Sequence, residues 1–110
     1  MLRERIAEIE RRIQDLEALP QEKRDELLGL LASLKAEVYE LSKTHAEHAE
    51  SITGFVRVSA HEATRRQKDP RLTKLAIEGL ASTVKDFERS HPRLVEYVNA
   101  ICSALANVGI

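Results

Sequence analysis

Two histidines, His45 and His48, stand three residues apart beside Glu47 and Glu50. This spacing places both imidazoles on one face of a helix, and two such helices in a dimer would offer four nitrogen ligands to Zn²⁺ or another divalent ion. The spacing is generic and the chain holds no second pair of ligands, so the sequence favours two polar side chains within a packing face. Because burial disfavours the charged imidazolium, a pH-responsive bundle is a further alternative.

The two histidines belong to a longer run of positions spaced by four and three residues. We name this run the heptad seam, and it comprises Leu27, Leu31, Leu34, Val38, Leu41, His45, His48, Ile52 and Phe55. A helix with this repeat presents one narrow stripe, which is buried against other helices. The seam therefore predicts a helical interface, and we expect a second copy of the chain to cover it.

No proline lies between Pro20 and Pro70, so a second helix that begins after Pro20 is predicted to run to about Lys68. Such a helix would be roughly 70 Å long, whereas a compact chain of this length has a radius of gyration of about 13 Å. The sequence thus predicts a long central helix and an elongated molecule. The alternative is a kink or loop somewhere in 43–56, where Gly54 costs the helix about 1 kcal/mol.

Prolines also delimit the other predicted helices. A first helix spans 2–19 and stops before Pro20, since the residue that precedes a proline is held out of the helical region. Asp69 and Pro70 suit the N-cap and the first position of a third helix. A fourth helix follows the turn at Pro92.

These elements predict an all-α fold in a single domain, 1–110. A long central helix joins an N-terminal helical hairpin in 1–42, a helical connector in 43–71 and a C-terminal helix pair in 72–110, in a coiled-coil-like bundle. A two-helix hairpin buries its apolar stripes poorly. We therefore expect a homodimer, in which a second copy completes a four-helix bundle.

The composition argues against several classes of protein. A formal net charge of −1 provides no overall field to attract nucleic acid or an anionic membrane. Aromatic residues make up 4% of the chain, which is atypical of a β-sandwich or barrel. The chain is charged from its third residue, which is atypical of a signal peptide. No apolar run approaches the ~20 residues of a membrane span. The lone Cys102 cannot form an internal disulfide, so we expect a cytoplasmic protein without a membrane partner.

A basic stretch in 57–74 offers contacts to the phosphates of a nucleic acid. The candidate residues for these contacts are Arg65, Arg66, Lys68 and Arg71. No aromatic residue or base-reading motif accompanies them, so association with nucleic acid is an alternative function rather than the favoured one.

Two further residues carry reactive side chains, His91 and Cys102. No positioned nucleophile accompanies His91 in the sequence, so His91 is assigned a capping or packing role. Nothing near Cys102 would generate a thiolate, so Cys102 is assigned a packing role. The chain has no phosphate-binding loop, Cys-x-x-Cys motif or nucleophile elbow. We predict a helical oligomerisation or protein-interaction module that is not an enzyme, with no cofactor and no metal ligand beyond the candidates His45 and His48.

The C-terminal segment also carries a family resemblance. It contains Phe87-Glu88-Arg89-Ser90-His91-Pro92, an apolar ladder to Leu105, and the terminal Asn107-Val108-Gly109-Ile110. These residues resemble the C-terminal half of a domain-of-unknown-function family of small bacterial proteins. Residues 1–40 resemble the family's N-terminal helical hairpin more loosely, and 43–71 differ from its shorter linker. The resemblance implies a bacterial, helical protein without enzymatic activity.

Overall fold

Helices account for nearly all of the regular structure. The structure is a computed structural model that describes residues 2–17 and 19–109. In that part of the chain, five α-helices occur: α1 (Leu2–Gln14), α2 (Gln21–Ser42), α3 (Ala46–Thr64), α4 (Pro70–Ser82) and α5 (Pro92–Gly109). A 3-10 turn, Lys85–Phe87, lies between α4 and α5, and the described residues form no strand. The all-α prediction is confirmed, while the terminal Ile110 of the family resemblance lies outside the described residues.

The prediction of a long central helix is wrong, because the chain leaves the helix at Thr44 and His45. His45 has φ −135° and ψ 63°, outside the helical region, and the amides of both residues donate to the Leu41 carbonyl oxygen, at 3.1 and 2.8 Å. The break falls where histidines replace apolar residues in the heptad seam. A continuous helix would carry imidazoles into the core, whereas the turn leaves His45 and His48 exposed. The alternative of a loop within 43–56 is therefore the correct one.

Gly54, the residue expected to weaken the helix, lies inside α3. Its neighbours Ile52, Thr53 and Val56 are each at most 1% exposed. Burying each of the two aliphatic side chains contributes about 1.5–3 kcal/mol, which exceeds the cost of about 1 kcal/mol for a glycine in a helix. The Thr53 hydroxyl donates to the Ala49 carbonyl oxygen at 2.9 Å, so its burial leaves no unsatisfied donor. Tertiary packing therefore overrides the local preference.

The helices α2 and α3 form the centre of the bundle. Helix α2 packs against α1, α3 and α5, while α3 also packs against α1, α4 and α5. Helix α1 with α2 and helix α4 with α5 provide the predicted N-terminal hairpin and C-terminal pair. Six seam residues are at most 2% exposed: Leu27, Leu31, Leu34, Val38, Leu41 and Ile52. Their prediction as an interface between two copies is corrected, because helices of the same chain already cover them.

The turn between α2 and α3 also determines the shape of the molecule. The radius of gyration is 12.9 Å and the principal extents are 38, 25 and 21 Å, so the expectation of an elongated molecule is wrong. Because α3 folds back on α2, the chain supplies the helices that the sequence prediction assigned to a second copy.

Asp69 caps α4, as predicted. Its carboxylate accepts a hydrogen bond from the Arg71 amide at 3.0 Å and pairs with the Arg71 guanidinium at 3.3 Å, and Pro70 begins the helix. The hydrogen bonds from Arg71 lower the pKa of Asp69 from its ordinary value of 3.8. A carboxylate with a lowered pKa stabilises the fold above its unfolded-state pKa and ceases to do so as the pH falls through its folded-state pKa.

Substituting Asp69→Ala is expected to lower Tm by a few degrees at pH 7, because the first turn of α4 loses its acceptor. The difference from wild type should shrink as the pH is lowered from 7 to about 2, because the wild-type carboxyl also loses its charge as the pH falls through its folded-state pKa. Thermal unfolding followed by circular dichroism at both pH values measures it. The Asp69→Asn variant, which keeps an acceptor oxygen but loses the charge, is the matched control and should have a Tm at pH 7 between those of Asp69→Ala and wild type. A Tm difference that is the same at both pH values would contradict the assigned role.

Candidate functional site

The histidines singled out in the sequence gather with a third around one buried phenylalanine. The imidazole centroids of His45, His48 and His91 lie 5.4, 5.2 and 5.5 Å from the centroid of Phe87, and each ring stands edge-on to it. His45 lies 6.1 Å from both of the other imidazoles. Edge-to-face contacts between aromatic rings are attractive. Because Phe87 is only 5% exposed, the three imidazoles cover one end of the core.

Within one chain this histidine cluster does not form a metal site, and a site shared between two copies stays a prediction. Among residues 2–17 and 19–109, no group of three or more histidine, cysteine or acidic side chains is placed to hold a metal ion. The Nδ1 atoms of His45 and His91 are already engaged, at 2.8 Å from the Thr44 hydroxyl and 2.9 Å from the Ser90 hydroxyl. The pH alternative assumed buried imidazoles, and this premise is wrong because His45 and His48 are exposed.

Three of the four cations predicted to contact phosphates are engaged within the chain. The pairs are Arg65 with Glu62 at 2.8 Å, Arg71 with Asp69 at 3.3 Å, and Lys68 with the carbonyl oxygen of Val108 at 2.9 Å. Nucleic-acid binding relies on cations that neutralise phosphates. The ion pairs of Arg65 and Arg71 therefore weigh against the nucleic-acid alternative.

Cys102 is buried in α5, as expected for a packing residue. Its Sγ atom lies 3.7 Å from the Ile77 carbonyl oxygen in α4. Burial raises the pKa of the thiol to about 11, so the uncharged form predominates near neutral pH. An uncharged thiol is a poor nucleophile, and the geometry gives Cys102 no chemical role.

A surface that the sequence prediction missed lies on α3 and α4. Four large apolar side chains there remain exposed, and we name them the α3–α4 patch: Phe55 at 40%, Val58 at 43%, Leu72 at 42% and Leu75 at 64%. The seam assigns Phe55 to the buried stripe, and its exposure corrects that assignment. Phe55 lies beside the stripe of α3 rather than within it.

Two contacts fix how α3 and α4 pack. The Thr73 hydroxyl donates to the Glu62 carbonyl oxygen at 3.3 Å, and the Phe55 ring lies against Gly79, where an added Cβ atom would come within 2.8 Å of the ring atom Cδ1. The two helices are therefore antiparallel. The absence of a side chain at Gly79 allows the Phe55 ring to cross from α3 to α4.

The patch flanks this junction on its outer side. Its two members on α3 are three residues apart, as are its two members on α4, so each pair shares one side of its helix. These apolar doublets are out of phase with the buried stripes of their own helices. The sequence therefore contains a signal for the patch, namely a second apolar stripe on each helix, offset from the buried one.

Ion pairs that neighbour the patch in sequence define its polar rim. Its ion pairs are Glu62 with Arg65 at 2.8 Å, Asp69 with Arg71 at 3.3 Å, and Lys74 with Glu78 at 4.0 Å. At about 185 Å² for a large side chain, the patch exposes roughly 350 Å² of apolar surface. The largest apolar patch on a typical monomer is of about this size, and such patches are often functional.

Comparison of the chain with protein-family models, with curated proteins and with solved structures finds no match. The resemblance to a bacterial domain-of-unknown-function family stays a prediction. None of the described helices combines the length and the apolar character required to cross a membrane.

Proposed function

We propose that this protein is a helical oligomerisation module without catalytic activity, and that two copies join through the α3–α4 patch. The observation that supports the proposal is the exposure of four large apolar side chains on two adjacent helices. Removing such surface from water favours association. A cytoplasmic location belongs to the same proposal.

The chemistry of the rim favours a second copy as the occupant. Each of the three ion pairs at the rim holds one acidic and one basic side chain, so the face carries no strong field of either sign. An isologous dimer brings the same patch of both copies together, and a balanced rim does not repel itself. In that dimer, α3 and α4 of each copy would form a four-helix layer.

The size of the patch sets the expected strength of the dimer. A stable interface buries about 800 Å² on each partner, more than twice the roughly 350 Å² of apolar surface in the patch. The polar rim must supply the remainder, and polar surface contributes less free energy. We therefore expect a weak dimer whose population rises with protein concentration.

The first test is Leu75→Glu, which places a charge at the most exposed position of the patch. Across roughly 10 µM to 1 mM protein, sedimentation velocity of the wild type should show a mass that rises from 12.4 kDa toward twice that value. The variant should remain at 12.4 kDa, because two glutamates would be desolvated in the interface. Its circular dichroism spectrum should match that of the wild type, since Leu75 is 64% exposed.

A matched control adds the same charge elsewhere. Ala36→Glu lies on the exposed side of α2, and this variant should dimerise like the wild type. A wild type that stays monomeric at every concentration would refute the proposal. A Leu75→Glu variant that dimerises as well as the wild type would place the interface elsewhere and refute the assigned surface.

A further inference from the structure

A cleft lies at the end of the bundle where α1 and α3 terminate. It has a volume of about 400 Å³ and opens between the α1–α2 loop, the end of α3 and the last turn of α5. This volume lies within the range of small-molecule sites, about 300–1,000 Å³. A neighbouring depression shares Arg65 and Arg66 with the cleft and continues past Arg12 and His61.

The floor of the cleft is apolar and held in place. It includes Leu16, Leu19 and Pro20 from the α1–α2 loop and Val108 from α5. Arg24 donates hydrogen bonds to the carbonyl oxygens of Leu16 and Leu19, the latter at 3.1 Å. These bonds hold the backbone at Leu16 and Leu19 in place, and a binding surface that is already ordered lowers the entropic cost of binding.

The rim of the cleft is cationic. Its basic residues are Lys23, Arg65, Arg66 and Lys68, and the residues described as lining the cleft include no aspartate or glutamate. Arg65 is paired with Glu62 at 2.8 Å, and Lys68 donates to the backbone of α5. Within the described part of the chain, Lys23 and Arg66 take part in no ion pair.

Favourable interactions with the helix dipole explain the presence of only some of the basic residues at this rim. Cations near the C-terminal ends of α3 and α5 are favourable, because the helix dipole is negative there, and this accounts for Arg66 and Lys68. Lys23 stands in the first turn of α2, where the dipole is positive and a cation is disfavoured. Its position at the cleft therefore calls for a different explanation.

We infer that the cleft binds an amphiphilic anion, a molecule with an apolar chain and a carboxylate or phosphate head. The chain covers the floor formed by Leu16, Leu19 and Val108, while the head pairs with Lys23 and Arg66. A guanidinium offers two parallel donors to either head. A wholly polar ligand would leave the apolar floor without a partner. The inference is independent of the dimer, since none of the four apolar residues of the α3–α4 patch lines the cleft and the two sites share only Arg65 at their rims.

The test is isothermal titration calorimetry with decanoate and with decyl phosphate, both below their micelle-forming concentrations. Decanol and inorganic phosphate are titrated as the tail and the head alone. We expect one saturable site per chain for at least one amphiphile, and weaker binding of decanol and phosphate. The double variant Lys23→Ala/Arg66→Ala should bind the amphiphile at least about tenfold more weakly, since both charge-assisted contacts are lost.

The matched control is Lys85→Ala/Arg93→Ala, which removes two exposed cations that do not line the cleft and should leave binding unchanged. Absence of saturable binding by both amphiphiles would overturn the inference. Equal weakening in the two double variants would also overturn it, because the attraction would then be non-specific. Sedimentation with vesicles of anionic phospholipid, without binding of either free amphiphile, would show a membrane-surface contact and overturn it as well.

Discussion

Substituting Leu34→Ala is expected to lower the free energy of unfolding by about 2–5 kcal/mol, because it removes a buried side chain and leaves a cavity. Leu34 is 0% exposed at the middle of α2 and belongs to the core cluster formed by the helices of one chain. Domains of this size have a total stability of about 5–15 kcal/mol, so the loss is a large part of the whole. Urea unfolding followed by circular dichroism measures it.

The matched control makes the same chemical change on the surface. Leu75 is 64% exposed, so Leu75→Ala, compared at a protein concentration where the chain is monomeric, is expected to change the free energy of unfolding by less than about 0.5 kcal/mol. The effect of Leu34→Ala should not depend on protein concentration, because the residue is buried within one chain. If the seam were an interface between copies, that effect would change with concentration. Similar effects of both substitutions would contradict the assignment of Leu34 to the core.

The buried stripes are the part of the fold that the sequence predicts best. Apolar residues spaced by three and four positions have few uses other than helix packing, and those of α2 up to Leu41 are buried as expected. The sequence does not indicate which surface covers these stripes. The periodicity is the same whether the partner helix belongs to the same chain or to another, so it could not distinguish a compact chain from an elongated dimer.

The position of the break in the long helix shows a second limit. Gly54 was the expected weak point because of its low helix propensity, yet the chain turns at Thr44 and His45, where neither glycine nor proline occurs. Propensities differ by about 1 kcal/mol or less for most residues, whereas burial of an aliphatic side chain contributes about 1.5–3 kcal/mol. The turn follows from what must be buried on either side of it.

The candidate surfaces were also only partly predictable from the sequence. The exposed doublets of the α3–α4 patch are visible in the sequence as a second apolar stripe, but only the structure shows that the stripes of α3 and α4 adjoin. His91 joins His45 and His48 because the 3-10 turn brings Phe87 between them. Such a contact between residues far apart in sequence depends on the tertiary fold, which local patterns do not encode.

At the end of the bundle where the three histidines meet, Phe87 is the residue whose loss should destabilise the packing most. Substituting Phe87→Ala is expected to lower the free energy of unfolding by about 3–5 kcal/mol, since the ring is 5% exposed and three imidazoles lose their edge-on contacts with it. The effect should be local as well as global. The His91 amide donates to the Phe87 carbonyl oxygen at 2.8 Å, and hydrogen exchange at this amide and in the first turn of α3 should accelerate more than in α1.

The matched control is Phe55→Ala, which removes the same ring from the α3–α4 patch. Phe55 is 40% exposed, so the substitution is expected to cost less than half as much stability and to leave hydrogen exchange around His45 and His91 unchanged. The two substitutions should also differ in association: Phe55→Ala weakens the proposed dimer, while Phe87→Ala, measured where the variant remains folded, does not. A Phe87→Ala variant no less stable than Phe55→Ala would contradict the anchoring role. The imidazoles would then hold that end of the bundle closed by their contacts with one another.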